Sequence, residues 1–221
     1  NIPVANSSYT IEAWIKPDAM GAKGIVGWGP WGTTNQVNAF RLGPNQLINY
    51  WWGNDLIVTV GDISGKWHHV ACTYDGTTRK IYLDGVVVGT DAPTGHNVTS
   101  TANFRIGSTN NGEYFDGSLD EVRIWNTARS QSQIQASMFN TISGSTSGLV
   151  AYYNFDNGTA DGTNTGVTSL TDQTSSANTG TLTNFTLTGS TSNWVESYAL
   201  VVPTATAATS ITTTGFTANW T

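Results

Sequence analysis

Apolar and polar residues alternate along most of the chain, which is the period of a β-strand. In YTIEAWIKP, residues 9–17, this alternation places Ile11, Ala13 and Ile15 on one face and Glu12 and Trp14 on the other. Further strands are predicted at GIVGWG, AFRLG, LINYWW, LIVTVG, WHHVACTYD, RKIYLDG, VVVGT, FRIGS, LDEVRIWN, LVAYYNF and GTLTNFTL. So many short strands, each bounded by turn residues, predict an all-β fold made of an antiparallel two-sheet sandwich.

Two Asp-Gly pairs separate predicted strands, at Asp75-Gly76 and at Asp84-Gly85. Both residue types tolerate a positive φ, so an Asp-Gly pair between apolar strands is a strong hairpin signal. The sequence therefore predicts two tight hairpins.

One short helix is predicted within NTARSQSQIQASMF. Ser130 and Gln133 have the spacing of a capping box, and Ile134 and Met138 lie one turn apart on one face. Because the helix is short, we expect it to lie across an edge or an end of the sandwich.

Composition agrees with a β-rich chain and excludes two classes of partner. Only 11% of the 221 residues are charged, while the chain has 24 Gly and nine Trp. The formal net charge of −6, with lysine and arginine scattered singly, gives no basic stripe, so nucleic acid is not an expected partner. No apolar run is long enough for membrane insertion. Cys72 alternates with residues of the opposite face and is predicted to be a small buried apolar residue.

The last part of the chain, residues 201–221, has a different composition. It is rich in Thr and Ala, contains Pro203, and resembles the beginning of a fibronectin type III domain, whose first strands end in a buried Trp such as Trp220. We therefore expect a linker and an incomplete fibronectin start here, and a chain that is part of a longer multidomain protein.

Four stretches carry a second resemblance: TIEAWIKP, KWHHVACTYDGTTRKIYLDG, FDGSLDEVRIWNTARSQSQI and GLVAYYNFD with the following LTDQTSSANTGTLTNF. In this order and spacing they resemble the laminin-G-like jellyroll domain of the concanavalin A-like lectin and glucanase superfamily. The resemblance implies a domain over residues 1–200 that lacks the N-terminal strand usual in the family. It also implies two sheets, one with a concave face, and an extracellular or cell-surface location in bacteria.

Catalysis is not expected. Family 16 glycoside hydrolases of this superfamily use a Glu-x-Asp-x-x-Glu strand, which no segment of the chain contains. The nearest acidic cluster is Glu113, Asp116, Asp120 and Glu121, in which the last two are adjacent and must point to opposite faces.

The resemblance implies one metal ligand. Asp120, at the start of LDEVRIW, matches an aspartate that often holds a structural Ca²⁺ together with backbone carbonyls, which are oxygen ligands that suit calcium. The alternative is that Asp120 accepts hydrogen bonds from backbone N–H groups where its strand begins.

Carbohydrate binding needs an aromatic surface and nearby polar groups. Trp28 and Trp31, in GWGPWGTTNQ, are predicted in a loop and form the first candidate pair. In LINYWWGND, the more polar set of alternating positions contains Asn49, so we expect Trp51 on the outward face and Tyr50 and Trp52 in the core. The carbohydrate-binding residues predicted from sequence are Trp28, Trp31, Trp51, Asn54, Asp55 and Tyr114, whereas Trp14, Trp67 and Trp125 are expected to be structural.

Two functions remain open at this point. The first is a non-catalytic carbohydrate-binding or adhesion module that recognises a polysaccharide or glycan. The second is a structural spacer domain that binds no ligand strongly. A relative of glycoside hydrolases is the less favoured third alternative.

Overall fold

The computed structural model describes residues 1–109, 112–189 and 192–200, and the backbone of residues 205–212 and 215–220. The described part contains fifteen strands and one helix, in the order β1 (Tyr9–Pro17), β2 (Lys23–Trp28), β3 (Asn38–Gly43), β4 (Gln46–Tyr50), β5 (Leu56–Thr59), β6 (His68–Tyr74), β7 (Arg79–Leu83), β8 (Val86–Asp91), β9 (Arg105–Ile106), β10 (Gly117–Trp125), α1 (Gln131–Ser137), β11 (Leu149–Tyr153), β12 (Ser169–Leu170), β13 (Gly180–Thr181), β14 (Ala205–Thr212) and β15 (Gly215–Trp220).

Two antiparallel sheets form the sandwich. The six-stranded sheet has the order β11-β10-β1-β6-β7-β8, and the five-stranded sheet has the order β5-β4-β3-β2-β9. The all-β fold with two antiparallel sheets and a short helix is confirmed. β12 pairs with β13 and β14 pairs with β15, each pair outside the two main sheets. GTLTNFTL, predicted as a full strand, contributes only the two residues of β13.

The core lies between the two sheets and follows the predicted alternation. Ile11, Ala13 and Ile15 of β1 are fully buried in it. Glu12 and Trp14 lie on the opposite face of the same strand, where the Trp14 indole N–H donates to the carbonyl of Met138 and Glu12 Oε1 accepts from the Trp125 indole at 2.7 Å. The two tryptophans are thus structural, as predicted.

Both predicted hairpin turns are present. Asp84 and Gly85 have φ of 49° and 74°, the left-handed conformation that an Asp-Gly hairpin requires. In the other turn, the Asp75 carboxylate accepts the backbone N–H groups of Thr77 and Thr78.

The helix begins at the predicted cap but lies in a different place. Ser130 and Gln133 form the complete capping box. Ile134 packs on Ala71 and Tyr82, which belong to the outer face of the six-stranded sheet. The expectation of an edge or end position is therefore wrong, because α1 buries its apolar residue Ile134 against the face of the sheet.

Three sequence predictions have further outcomes. Cys72 is a buried apolar residue as predicted, and burial raises the pKa of its thiol far above the usual range. No helix in the described part of the chain has the length and apolar character needed to cross a bilayer. The predicted burial of Trp220 concerns a side chain outside the described residues.

Candidate functional site

The outer face of the five-stranded sheet carries the candidate site. Along β3 and β4, Phe40 and Leu47 point into the core. Arg41 is one position from Phe40 and Tyr50 three positions from Leu47, so both point outward. Ala39 pairs with Tyr50 and Arg41 pairs with Ile48, which makes Arg41 and Tyr50 diagonal neighbours on this face.

Three half-buried rings pack together at the end of β4, and we call Trp31, Tyr50 and Trp52 the aromatic cluster. The Trp31 and Tyr50 rings are stacked, with centroids 5.9 Å apart and planes at 25°. Trp52 stands nearly perpendicular to both, at 5.8 Å from Trp31 and 6.0 Å from Tyr50. The cluster therefore brings together two segments of the chain that are about twenty residues apart in the sequence.

The backbone after β4 explains how consecutive aromatic residues separate. The strand ends at Tyr50, and Trp52 has a φ of 63°, a left-handed conformation that turns the chain away from the strand. The Asp55 carboxylate accepts the Trp51 backbone N–H at 2.7 Å, and the Trp51 carbonyl accepts from the Asn35 N–H at 2.7 Å. These bonds hold the loop that presents Trp52 against the loop that presents Trp31.

A fixed ion pair borders the rings. The Arg41 guanidinium carbon lies 5.2 Å from the centre of the Tyr50 ring, and Arg41 Nη1 donates to Glu113 Oε1 at 2.6 Å. The second oxygen of Glu113 accepts from the Thr109 hydroxyl at 2.6 Å, and the Glu113 carbonyl accepts the Gly24 N–H. Burial raises the pKa of Tyr50, with Asp55 and Glu113 adding to the effect and Arg41 opposing it.

Trp51 and Trp28, two of the predicted sugar-binding residues, are fully buried in the core instead. The Trp28 indole N–H donates to the Pro3 carbonyl at 2.8 Å. Trp28 is the last residue of β2 and not part of a loop. The prediction for LINYWW is wrong, because the polar Asn49 does not mark a solvent-facing set of positions. Asn49 is itself buried, accepting from the Tyr9 hydroxyl at 2.7 Å and donating to the Ala39 carbonyl at 3.2 Å.

In the core, the Trp51 ring packs between a charged and an aromatic side chain. The guanidinium of the buried Arg79 lies 4.1 Å from the ring centre, and the His96 ring stacks on the ring at 3.9 Å. Arg79 is bidentate to Asp91 and also donates to two backbone carbonyls. Burial, with a smaller effect of Arg79, lowers the pKa of His96 to about 4.

The other predicted sugar-binding residues have different positions. Asn54 is half-buried and donates to the Asn35 side chain and the Thr94 carbonyl. Asp55 lies beside the aromatic cluster with one oxygen held by the Trp51 N–H. Tyr114 is 64% exposed in the loop that carries Glu113. Sequence reasoning missed Tyr50 and Trp52 as surface residues, and it gave no signal for the pairing of Arg41 with Glu113.

Asp120 is mostly buried and accepts from protein donors at both oxygens. Oδ1 accepts the backbone N–H of Glu121 at 2.8 Å, and Oδ2 accepts the hydroxyl of Ser197. Burial, followed by the charges of Glu121 and Asp156, raises the pKa of Asp120 to about 6. Among the described residues, no group of three or more His, Cys, Asp and Glu side chains is arranged to hold a metal ion. The calcium site predicted from the sequence consists of Asp120 with backbone carbonyls and not of several acidic side chains, so the ion stays a prediction.

Comparisons with known proteins agree with the fold and with the resemblance. A laminin G family model, described as the concanavalin A-like lectin/glucanases superfamily, matches residues 1–135. Mouse pappalysin-1 is 30% identical over an 81-residue match that covers 34% of this chain and 5% of that protein. The crystal structure of a candidate carbohydrate-binding protein from Bacteroides ovatus ATCC 8483 is 26% identical with a TM-score of 0.65, covering 83% of this chain and 54% of that one.

A third protein is more distant. The CBM40 of the Ruminococcus gnavus IT-sialidase, bound to alpha2,3 sialyllactose, is 15% identical with a TM-score of 0.49, covering 59% of this chain and 82% of that one. The chain therefore spans a small part of the mouse protein and about half of the Bacteroides protein.

Proposed function

We propose that this chain, which belongs to the concanavalin A-like lectin/glucanases superfamily, binds carbohydrate at the aromatic cluster on the outer face of its five-stranded sheet. The observation that carries the proposal is the packing of Trp31, Tyr50 and Trp52 on this face and outside the core. Aromatic rings offer the flat apolar surface on which the C–H face of a sugar ring stacks. The similarity to the Bacteroides ovatus protein, which is described as a candidate carbohydrate-binding protein, supports the proposal.

Two N–H donors at the aromatic cluster have no acceptor in the part of the protein that the structure describes. The Trp31 Nε1–H and the Arg41 Nε–H are buried and have no hydrogen-bond partner among the described residues. A buried donor without an acceptor costs about 1–3 kcal/mol, and an oxygen atom that reaches the donor relieves this cost. Both N–H groups are closed to solvent in this structure, so the half-buried aromatic surface carries the proposal.

The proposal is one of binding without catalysis. Both carboxylate oxygens of Glu113, the acid that borders the rings, are held by hydrogen bonds from Arg41 and Thr109. A glycosidase needs a protonated carboxyl and a second carboxylate placed on either side of the scissile bond. Glu113 in its ion pair suits the fixed wall of a binding site.

We also propose an extracellular or cell-surface location and a longer multidomain protein, with residues 201–221 as a linker and the start of a fibronectin type III domain. Support comes from the sequence resemblances. The limited coverage of the relatives is also in keeping with a domain that serves as one module of larger proteins. Adhesion to a polysaccharide-coated surface is the role that such a module performs.

The test compares variants that remove one ring. Wild type is first screened on a glycan array and then measured by affinity electrophoresis in gels that contain the best ligand. We expect Trp31→Ala and Trp52→Ala to weaken binding about tenfold, equivalent to about 1.4 kcal/mol. Tyr198→Ala is the control, because Tyr198 is 59% exposed and follows Ser197, which bonds to the other sheet.

Two outcomes contradict the proposal. If neither ring variant weakens binding while circular dichroism shows them folded, the carbohydrate binds elsewhere. If wild type binds no glycan on the array and none of a set of plant, algal and bacterial polysaccharides, the spacer function is the better description.

A further inference from the structure

We infer that the ligand of the aromatic cluster is a neutral sugar, and that the Arg41–Glu113 ion pair excludes carboxylated sugars from it. The inference rests on the proposed carbohydrate binding and names the class of sugar. It follows from the charges that surround the rings, which differ from those of a site built to receive a carboxylate.

Arg41 is the cation at the rings, and its charge is already neutralised. Its side chain is 13% exposed and that of Glu113 is 23% exposed, so water screens this pair less than a surface ion pair. Glu113 is anchored on its other oxygen by Thr109, a fully buried residue. A ligand carboxylate beside Arg41 would have to share this single positive charge with Glu113, and two carboxylates competing for one partly buried cation is costly.

The remaining charges near the rings do not favour an anion. Asp55 adds a second negative charge close enough to Tyr50 to raise the pKa of its hydroxyl. Lys23 is paired with Asp116 at 3.3 Å, in a more exposed position. Arg105 lies three strands away from Tyr50 in the same sheet, which corresponds to about 14 Å, and it has a contact of its own.

A neutral sugar meets the same groups without this conflict. A neutral sugar brings no charge that competes with Glu113 for Arg41, so the ion pair stays intact when the sugar binds. Its C–H face can stack on the rings. The ion pair then forms a rigid polar border to the site. The negative charge of Glu113 repels a ligand carboxylate, which gives specificity through repulsion.

The test uses pairs of polysaccharides that differ only in charge: polygalacturonan, alginate and hyaluronan, each with its carboxyl-reduced form, in which every uronate becomes the neutral hexose. Affinity electrophoresis is run at low and at physiological salt. We expect wild type to bind at least one carboxyl-reduced polymer at least tenfold more tightly than its parent polymer. Trp31→Ala should lose this binding, which places it at the aromatic cluster.

Glu113→Gln is the decisive variant. The amide oxygen can still accept from Arg41 or Thr109, but the negative charge is gone, so the tenfold preference should disappear or reverse. The gained binding of the uronate polymer should weaken as salt is added. Glu196→Gln is the matched control, since it makes the same change at an exposed residue beside Ser197, which bonds to the other sheet.

The failures are distinguishable. Equal or tighter binding of the uronate polymers by wild type overturns the inference and leaves the proposed function intact. A Glu113→Gln variant that behaves like Glu196→Gln overturns the role of the ion pair. Binding of none of these polymers, and of none in the wider set above, overturns the proposed function and this inference together.

Discussion

The replacement of Trp51 by alanine tests where the consecutive aromatic residues lie. In the structure, Trp51 is fully buried, and its indole N–H donates to the Tyr9 hydroxyl at 3.0 Å. Truncating a buried Trp to Ala costs about 3–5 kcal/mol. The lost hydrogen bond is worth about 1 kcal/mol, and the lost ring under the Arg79 guanidinium up to about 2 kcal/mol.

These contributions share neighbours and do not simply add. We therefore expect a loss of about 5 kcal/mol in the free energy of unfolding. With a urea m-value of about 2 kcal/mol/M, the midpoint falls by about 2.5 M. Trp52→Ala should cost only about 1 kcal/mol, because it removes two edge-on ring contacts at a half-buried position.

The assay is equilibrium urea unfolding followed by circular dichroism, with Trp51→Phe as a milder variant in case the alanine variant does not fold. Phenylalanine keeps a ring beneath Arg79 and should cost about 2 kcal/mol, chiefly through lost volume and the lost indole N–H. The placement is refuted if Trp51→Ala costs less than about 1 kcal/mol while Trp52→Ala costs more.

Three further predictions concern other parts of the structure. His96 has a folded-state pKa of about 4, below the ordinary value of 6.5, so the unfolded chain takes up a proton first as the pH falls. Stability is then complete above about pH 6.5 and declines by up to about 3 kcal/mol towards pH 4. Urea midpoints at pH 7 and pH 4.5 should thus fall more for wild type than for His96→Phe, and an equal fall in both would count against the buried neutral imidazole. Removing the helix cap with Ser130→Ala should cost about 1 kcal/mol, and a neutral result would show that the capping box does not stabilise α1. If Asp120 holds calcium as the resemblance implies, calcium at a hundredfold excess over its Kd stabilises the native state by about 2.7 kcal/mol. EDTA should then lower the melting temperature of wild type but not that of Asp120→Asn, and an unchanged wild-type midpoint removes the calcium interpretation.

The sequence predicted the features that depend on neighbouring residues. The alternation of Ile11, Ala13 and Ile15 is decided by the pleat of a single strand, and the Asp84-Gly85 turn by the φ that these two residues tolerate. The capping box of α1 likewise lies within four residues. The strand, the turn and the cap could each be predicted because residues close together in the sequence determine their geometry.

The site depends on contacts between distant residues, which one sequence does not reveal. The buried Asn49 accepts a hydrogen bond from Tyr9, which lies forty positions away in the other sheet. A polar residue can therefore belong to the face that packs in the core. Glu113 meets Arg41 across seventy-two positions. The alternation correctly placed Trp51 on the face opposite to Tyr50 and Trp52. It could not show which face lies in the core, because the polar Asn49 shares the buried face.

The most direct test of the central claim follows the indole N–H signals of the nine tryptophans by NMR during titration with an oligosaccharide of the best glycan ligand. Single Trp→Phe variants assign the signals. The proposed site predicts that the signals of Trp31 and Trp52 shift in proportion to occupancy, while those of the buried Trp28 and Trp51 move little. Shifts confined to Trp14, Trp125 or Trp194, with Trp31 and Trp52 unchanged at saturation, would contradict carbohydrate binding at the aromatic cluster.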